Sequence, residues 1–472
     1  MAKRIYLTTA IPYVNAAPHV GHALELVQSD ALARFYRANG SDVLWSWGAD
    51  ENSLKNVQAA EAEGVPTQKL VDKYAKQFTD LKEPLNLTYD IFNRTSEKHH
   101  FEGAQKIWQQ CRQEDIYKKT YRGLYCVGCE AFYTPDEIVD GKCPDGHTNI
   151  EEVEEENYFF RLSDYADYLE KLITTDKLKM TLPTRRNEVL SFIKSGLEDF
   201  SISRSVERAH GWGVPVPGDP TQVMYVWFDA LTTYLTALGY PKGDLYEKYW
   251  LDSSKRLHVI GKGIIRFHAV YWPAILASAG ITLPTDEFVH GYITVEGQKI
   301  SKSVGNVVDP FDLVGRFGTD PVRYYLLREI PAWGDGDFSE KRFKDLYNGE
   351  LANGLGNLVA RVARLASDVN VALPPKKNFK FKKEVADNIK NYRFDQAIMA
   401  LWDDIGVLDK KINEEKPWEL EGTKLKKVIS PIAVEIREIA FNLSPFLPQT
   451  SEKILDQFTG KVSAEKPLFP RI

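Results

Sequence analysis

The chain has 472 residues, of which 43% are hydrophobic and 27% charged, and its formal net charge is −6. This length exceeds what one hydrophobic core normally serves, so several domains are expected, with enough apolar residues to fill their cores. No run of eighteen apolar residues and no signal-peptide pattern is present, and the charge is not that of a generally basic nucleic-acid binder, so we expect a cytoplasmic chain without membrane spans whose polyanion sites are local.

The first fifty residues predict a strand, a helix and a second strand. RIYLTT at 4–9 favours β-structure, apolar residues recur at helical spacing between His22 and Gly40, and SDVLWSWG at 41–48 is strand-like again. A βαβ unit binds its ligand at the carboxyl ends of its parallel strands. We therefore expect Asp50 to face the same crevice as the stretch AAPHVGHALE that opens the helix.

The middle of the chain predicts an insertion followed by a second α/β segment. Residues 116–222 contain turns, short strands, a cysteine cluster and the acidic run EEVEEEN. RLHVIG at 256–261 then predicts a strand, and residues 264–280 predict one helix closed by Gly280. FVHGYITVEGQ predicts a hairpin around Glu296–Gly297 that leads into KISKSVGN. After about residue 345 the apolar spacing is helical throughout.

Two histidines flank a Val-Gly pair where the first helix is expected to begin. His19 and His22 can both project from its first turn, where unpaired N–H groups and the helix dipole favour an anion. Two imidazole donors there would hold a phosphate oxygen, and Gly21 would allow a flat base or backbone to approach. The alternative is that one histidine caps the helix or packs in the core while the other is exposed.

A second element carries cations. Lys299 and Lys302, with Ser301 and Ser303, lie on a loop preceded by glycine, which would stabilise charge on a reacting phosphoryl group. The alternative is a solvated surface loop. Because the chain lacks a G-x-x-x-x-G-K-S/T run, it is not a P-loop enzyme, and the two elements would have to act as a pair.

The chain resembles class I aminoacyl-tRNA synthetases. Their His-x-Gly-His and Lys-Met-Ser-Lys-Ser signatures match HVGH and KISKS, with Ile300 at the methionine position. Within that class it is similar to the methionyl-tRNA synthetase family, through TTAIPYVNAAPHVGHA, ENYFFRLSDY, GWGVPVPGD, VMYVWFDALTTYLTALGY, RFHAVYWPAIL and YITVEGQKISKSVGNVVDP. The likeness covers the catalytic body almost end to end and continues, more thinly, beyond it.

The resemblance implies an α/β fold in four segments. Residues 1–115 and 223–345 would form the two halves of a Rossmann-like catalytic domain with a parallel sheet, the second half including the KISKS region. Residues 116–222 would be a connective insertion with a zinc knuckle, and residues 346–472 an α-helical anticodon-binding domain. At about one hundred residues, the insertion is too short for a separate editing domain.

The resemblance also implies the reaction. Methionine and ATP would form methionyl-adenylate with release of pyrophosphate, and the methionyl group would pass to the 3′ end of tRNA(Met). The catalytic groups, acting with Mg²⁺, would be His19, His22, Lys299 and Lys302. The ATP-binding set would be His19, Gly21, His22, Gly261, Lys299, Ser301, Lys302 and Ser303.

A methionine pocket is implied by position. Asp50 would hold the substrate α-amino group; its alternative role is that of a residue in a turn at a strand end. An apolar slot with aromatic rings suits a thioether, although core packing is the alternative for each such residue. The pocket set is Ile11, Tyr13, Asp50, Trp227, Ala230, Leu231, Tyr234, Ile264, Phe267 and His268, with Leu231 where proline is common.

Soft ligands cluster in the insertion. Cys126-Val-Gly-Cys129 is followed by Cys143 and His147, which fits a closed tetrahedral structural zinc. The family carries a zinc knuckle here, although its last ligand pair often has two intervening residues and this chain has three, so a site without metal remains an alternative. Cys111 lies outside the pattern and is expected to be a buried small hydrophobe.

The helical segment carries the implied anticodon residues. Asn357 and Arg361 lie four apart on one helix face, and Trp418 offers a stacking platform for an unstacked base. An ordinary surface pair is the alternative for Asn357 and Arg361. Because the helical segment ends near residue 472 without a further tRNA-binding and dimerisation module, we expect a monomer.

Two departures from the family pattern keep other functions open. Where the family commonly has Asp-Glu-His-Gly this chain has Asn52 and Ser53 in the last two places, and Gly263 replaces an aspartate near the expected ATP ribose. The alternatives are a tRNA-binding paralogue with altered or lost activation, a class I synthetase for another apolar amino acid, and a smaller nucleotidyltransferase, although the last would not need the KISKS loop.

Overall fold

The computed structural model describes residues 3–129, 131–144, 146–300, 305–375 and 378–472. Its strands, in chain order, are β1 (Arg4–Thr9), β2 (Asp42–Ala49), β3 (Ile91–Arg94), β4 (Ile116–Cys126), β5 (Ala131–Tyr133), β6 (Ile150–Phe160), β7 (Lys179–Met180), β8 (Phe200–Ser201), β9 (Ser203–Ser205), β10 (Pro215–Val216), β11 (Asp219–Met224), β12 (Lys255–Gly261), β13 (Asp286–His290), β14 (Ile293–Val295), β15 (Gln298–Lys299), β16 (Gly336–Phe338), β17 (Ala372–Leu373) and β18 (Gly460–Lys461). Its α-helices are α1 (Val20–Ala38), α2 (Leu54–Glu63), α3 (Thr67–Thr79), α4 (Lys98–Gln110), α5 (Ala166–Thr174), α6 (Pro183–Lys194), α7 (Val226–Thr236), α8 (Asp244–Tyr246), α9 (Trp272–Ser278), α10 (Pro310–Phe317), α11 (Thr319–Arg328), α12 (Glu340–Leu346), α13 (Asn357–Asp368), α14 (Lys383–Lys390), α15 (Phe394–Glu415), α16 (Gly422–Leu443) and α17 (Pro448–Gln457).

The chain forms two compact units. The first contains residues 1–18, 41–80 and 89–289, and the second contains residues 19–40, 81–88 and 290–472. The second unit therefore includes α1 and the β14–β15 hairpin as well as the C-terminal helices. The division into four functional segments stays a prediction.

A parallel sheet organises the first unit. Its strand order is β3-β2-β1-β12-β13-β7, and β1 pairs in parallel with both β2 and β12. The side chains of β1 and β2 are almost all buried, as expected for strands covered on both faces. The predicted strand, helix and strand at the start of the chain are confirmed, with the helix beginning at Val20.

The insertion in the first unit is built on antiparallel sheets. The longer has the order β5-β4-β6-β8, in which β4 and β6 pair along their whole length, and the shorter has the order β10-β11-β9. The acidic run EEVEEEN lies in β6. The cysteine cluster lies at the end of β4, because Cys126 is the last residue of that strand.

The region 264–280 is not one α-helix, contrary to prediction. A 3₁₀ turn covers Lys262–Ile264, a π-helical turn covers Phe267–Tyr271, and α9 begins only at Trp272. Pro273 gives the physical reason, because it lacks an N–H and is tolerated in the first turn of a helix but not in its interior. Gly280 ends the segment with a φ of 66°, as predicted.

The hairpin expected around Glu296–Gly297 is present in the second unit. Strands β14 and β15 pair antiparallel, and both turn residues have positive φ, 50° at Glu296 and 74° at Gly297, as a type I′ turn requires. Strand β14 also pairs in parallel with β16. The remaining chain of this unit is mainly helical, as predicted, and none of the described helices is long and apolar enough to cross a membrane.

Candidate active site and metal cluster

The two histidines form an interlocked cap on α1. His19 precedes the helix in an extended conformation, and its Nδ1 accepts a hydrogen bond from the backbone N–H of Gly21 at 3.1 Å. The Nδ1 of His22 accepts from the backbone N–H of His19, also at 3.1 Å, and the rings stack with centroids 3.9 Å apart. Because each Nδ1 accepts, each neutral imidazole carries its proton on Nε2. Capping the helix and offering N–H donors are therefore compatible roles.

Burial keeps both rings uncharged. It lowers the pKa of His19 to about 4, and burial together with the charge of His19 lowers the pKa of His22 well below its ordinary value. At neutral pH the pair offers Nε2–H dipoles, not positive charge. Attraction for an anion would therefore come from these donors, from the N-terminal dipole of α1 and from nearby lysines.

Gly21 is enclosed by residues of its own unit. A β-carbon placed there would lie 2.9 Å from Cε1 of His19 and 3.4 Å from Cγ2 of Ile293 on β14. The cap therefore requires a glycine at this position, because any side chain would displace the His19 ring. Any further space for an adenine beside Gly21 stays a prediction.

The cationic element is described only in part. Lys299 is exposed on β15, while Ser301, Lys302 and Ser303 lie outside the described residues. The segment that follows them returns to α1, where the N–H of Val20 donates to the carbonyl of Val308 at 3.0 Å. The histidine cap and the hairpin that carries Lys299 thus belong to one unit.

An uncharged aromatic cluster lies in the first unit. The hydroxyl of Tyr234 donates to Nε2 of His268 at 2.7 Å, because Nδ1 of that ring donates to the carbonyl of Ile264 at 2.9 Å. Burial lowers the pKa of His268 to about 4, so the ring is neutral. Trp227 stacks on Phe267 with ring centroids 3.8 Å apart. These five predicted pocket residues form two contacting groups.

The other predicted residues of the first unit lie on neighbouring elements. Asp50 is buried and forms a β-bridge with Tyr13, and its carbonyl accepts a hydrogen bond from the Asn56 amide at 2.9 Å. Ala230 and Leu231 are buried in α7, Gly261 ends β12, and Ile11 is half-buried beyond β1. Because Asp50 and the histidine cap lie in different units, the crevice expected between them stays a prediction.

The departure at Asn52 is fully accommodated on its donor side. Its Nδ2 donates to the carbonyl of Thr95 at 2.9 Å and to Oδ2 of Asp229 at 2.7 Å. The other oxygen of Asp229 contacts Nε2 of His100 at 2.5 Å, and both side chains are completely buried. Sequence reasoning missed Asp229 and His100; the available signal was a carboxylate inside the apolar segment VMYVWFDAL.

The four predicted metal ligands come together. The ligand atoms of Cys126, Cys129, Cys143 and His147 all lie within 4.8 Å of one another. Sγ of Cys129 is 3.4 Å from Sγ of Cys143 and 3.2 Å from Nδ1 of His147. Three thiolates and an imidazole are a donor set that fits tetrahedral zinc, and the backbone N–H of His147 donates to Sγ of Cys143 at 3.3 Å, which stabilises a thiolate.

Cys111 is separate from this cluster. It is buried, and burial raises the pKa of its thiol to about 12, so it is an unreactive apolar side chain, as predicted. It also provides a control for metal binding. We expect about one zinc ion per chain, lost in Cys143→Ser and retained in Cys111→Ala, when metal content is measured after dialysis. Equal zinc loss in both variants, or no zinc in the unaltered chain supplied with the metal, would contradict the assignment.

The predicted anticodon residues lie in the helical part of the second unit. Asn357 is exposed at the start of α13, and Trp418 is 51% exposed in a 3₁₀ turn after α15. Arg361 forms an ion pair with Asp409 and donates to Oδ1 of Asn413 at 3.2 Å, both on α15. Its guanidinium is therefore already oriented by α15, a restraint that sequence spacing did not reveal.

The parallel sheet, the histidine-capped helix after its first strand and the lysine-bearing hairpin define a class I tRNA synthetase. The family "tRNA synthetases class I (M)" matches residues 5–153 and 146–363. Methionine–tRNA ligase of Brucella suis is 42% identical over 476 residues, covering 96% of this chain and 91% of the relative. The corresponding ligase of Clostridium acetobutylicum is 40% identical and covers the whole of this chain and 78% of its own.

Solved structures agree with the sequence relatives. The structure of Mycobacterium tuberculosis methionyl-tRNA synthetase in complex with methionyl-adenylate has a TM-score of 0.91 and 38% sequence identity, and the likeness covers 99% of this chain and 100% of that one. The chain belongs to the methionine–tRNA ligase family of class I synthetases.

Proposed function

We propose that this chain activates L-methionine with ATP to give methionyl-adenylate and pyrophosphate, and then transfers the methionyl group to the 3′ end of tRNA(Met). The observation that carries the proposal is the near-complete likeness, at a TM-score of 0.91, to a synthetase bound to methionyl-adenylate. Identity of about 40% to methionine–tRNA ligases over almost the whole chain supports the same activity.

The histidine cap supports a role at the phosphates. When the methionine carboxylate attacks the α-phosphate of ATP, negative charge develops on phosphate oxygens as pyrophosphate leaves. The Nε2–H groups of His19 and His22 would donate to these oxygens from a fixed geometry, and Lys299 and Lys302 would supply positive charge. Mg²⁺, bound to the phosphates, would neutralise further charge.

The aromatic cluster supports recognition of a thioether. Tyr234 and His268 satisfy each other's polar atoms, so the surface they form with Trp227 and Phe267 is uncharged and polarisable. Such a surface favours sulfur–aromatic contacts. Asp50, from the β-bridge with Tyr13, would hold the α-ammonium group.

Isotope exchange between ATP and pyrophosphate tests this function. Exchange should require methionine, and Asp50→Asn should lower kcat/KM for methionine roughly ten- to a hundredfold, because a hydrogen bond to a charged group is lost. Asp252→Asn is the matched control, since Asp252 is an exposed partner of Arg4 in the same unit.

The alternatives predict different results. Exchange dependent on leucine, isoleucine, valine or cysteine would identify another class I synthetase. No exchange with any amino acid by a folded chain that still binds tRNA would identify a tRNA-binding paralogue. The roles of Asn357, Arg361 and Trp418 at the anticodon, the monomeric state and the cytoplasmic location belong to the same proposal.

A further inference from the structure

The β14–β15 hairpin and the segment after it are attached to the beginning of α1 by polar contacts. On one side of the hairpin, Nε2 of His290 lies 3.4 Å from Oε1 of Glu25, which is one turn beyond the histidine cap. On the other side, the carbonyl of Val308 accepts the N–H of Val20. All four residues belong to the second unit. The start of α1 therefore contacts the chain both before and after the hairpin.

The chemistry of His290 makes the first contact an ion pair. Its Nδ1 lies 2.8 Å from the carbonyl oxygen of Gly291, which can only accept, and its Nε2 faces a carboxylate. Both ring nitrogens must therefore carry hydrogen. Burial alone would lower the pKa of His290, but the hydrogen bond and charge of Glu25 outweigh it and raise the pKa above its ordinary value.

The ion pair is well shielded from water. His290 is 7% exposed and the side chain of Glu25 is 15% exposed. Among the residues that the structure describes, neither Oε1 of Glu25 nor Nε2 of His290 has another hydrogen-bond partner. Removing one member would therefore leave the other charge buried and uncompensated, which is costly.

We propose that Glu25 and His290 are a positioning pair that fixes the β14–β15 hairpin, and with it Lys299, relative to the histidine cap. The proposal rests on the proposed function, in which the cap and Lys299 bind the same triphosphate. The pair touches neither substrate. It acts by holding two phosphate-binding elements in register, and the β-carbon space between Gly21 and Ile293 shows how closely those elements pack.

Glu25→Gln is the main test, because the amide has the size of the carboxylate but no charge. We expect KM for ATP in the exchange reaction to rise about tenfold, within the range of coupling between contacting residues. KM for methionine should stay within about twofold, because the methionine pocket residues lie in the other unit. Asp345→Asn, which removes an exposed carboxylate from α12 in the same unit, should change neither constant.

A second measurement does not depend on activity. Trypsin cleavage after the exposed Lys299 reports local opening of the hairpin, and we expect it to be about tenfold faster in Glu25→Gln than in the unaltered chain. The double variant Glu25→Gln, His290→Gln should be cleaved no faster than the single variant, because the contact is already lost. Unchanged cleavage in Glu25→Gln, or effects of the two substitutions that multiply, would overturn the proposal.

The two measurements separate this proposal from the proposed function. If the unaltered chain shows no methionine-dependent exchange, the proposed function fails, while the cleavage experiment still decides whether the pair holds the hairpin. If exchange is normal and Glu25→Gln raises KM for both substrates equally, the pair does not act on the ATP side and the positioning role is rejected.

Discussion

Replacing His19 with asparagine should lower the rate of methionine-dependent ATP–pyrophosphate exchange by roughly a hundred- to a thousandfold, because a fixed donor to the developing charge on the phosphates is lost. Asparagine is chosen because it is itself a strong helix N-cap. It can accept the hydrogen bond that Nδ1 of His19 takes from Gly21, so α1 should keep its start. The effect would then fall on catalysis and not on folding.

The measurement is kcat for exchange at saturating ATP and methionine, together with the thermal midpoint of unfolding. His210→Asn is the matched control, since His210 is a half-exposed histidine paired with Glu61 in the first unit. Loss of exchange accompanied by an equally large loss of stability would assign His19 a structural role only. Normal exchange in His19→Asn would remove it from the catalytic set.

Replacing Arg323 with methionine should cost about 3–5 kcal/mol of unfolding free energy in the second unit, because it leaves the Asp30 carboxylate buried without its partner. Both side chains are completely buried, with Nη2 of Arg323 2.8 Å from Oδ2 of Asp30. The guanidinium also donates to the carbonyls of Leu85, Pro445 and Phe446, at 2.9–3.0 Å. One side chain thus joins α1, the 81–88 segment and the turn before α17.

Urea unfolding followed by fluorescence would measure this loss. Arg364→Met is the control, since Arg364 forms an exposed pair with Asp368 on α13 and should change stability by less than about 1 kcal/mol. Adding Asp30→Asn to Arg323→Met should restore part of the stability, because the uncompensated charge is removed. No restoration would mean that the backbone carbonyls, and not Asp30, account for the effect of Arg323.

Local patterns predicted the local structure well. Apolar spacing located α1 between β1 and β2, and the pair Glu296–Gly297 predicted a turn that needs two positive φ angles. The spacing of Cys126, Cys129, Cys143 and His147 predicted a cluster, since these residues are close in sequence and a short loop brings them together at low entropic cost. Each of these features is specified within about twenty residues.

The features that sequence reasoning missed depend on residues far apart in the chain. Asp229 contacts Asn52 and His100, which precede it by more than a hundred residues, and the ion pair between Arg323 and Asp30 spans almost three hundred. No periodicity marks such partners, because the tertiary fold decides which buried charges meet. The π-helical turn before α9 was missed for a different reason: apolar spacing does not distinguish it from an α-helical turn.

The interlocked histidine cap has a consequence for the entropy of nucleotide binding. A lysine side chain loses up to about 2 kcal/mol of rotamer freedom when a ligand immobilises it. The imidazoles of His19 and His22 are already immobilised by backbone N–H groups and by stacking, so that loss occurs once, when the chain folds, and does not recur at each turnover. The two signature elements therefore contribute differently: the cap offers rigid donors at little entropic cost on binding, whereas the lysines supply charge at the expense of their mobility.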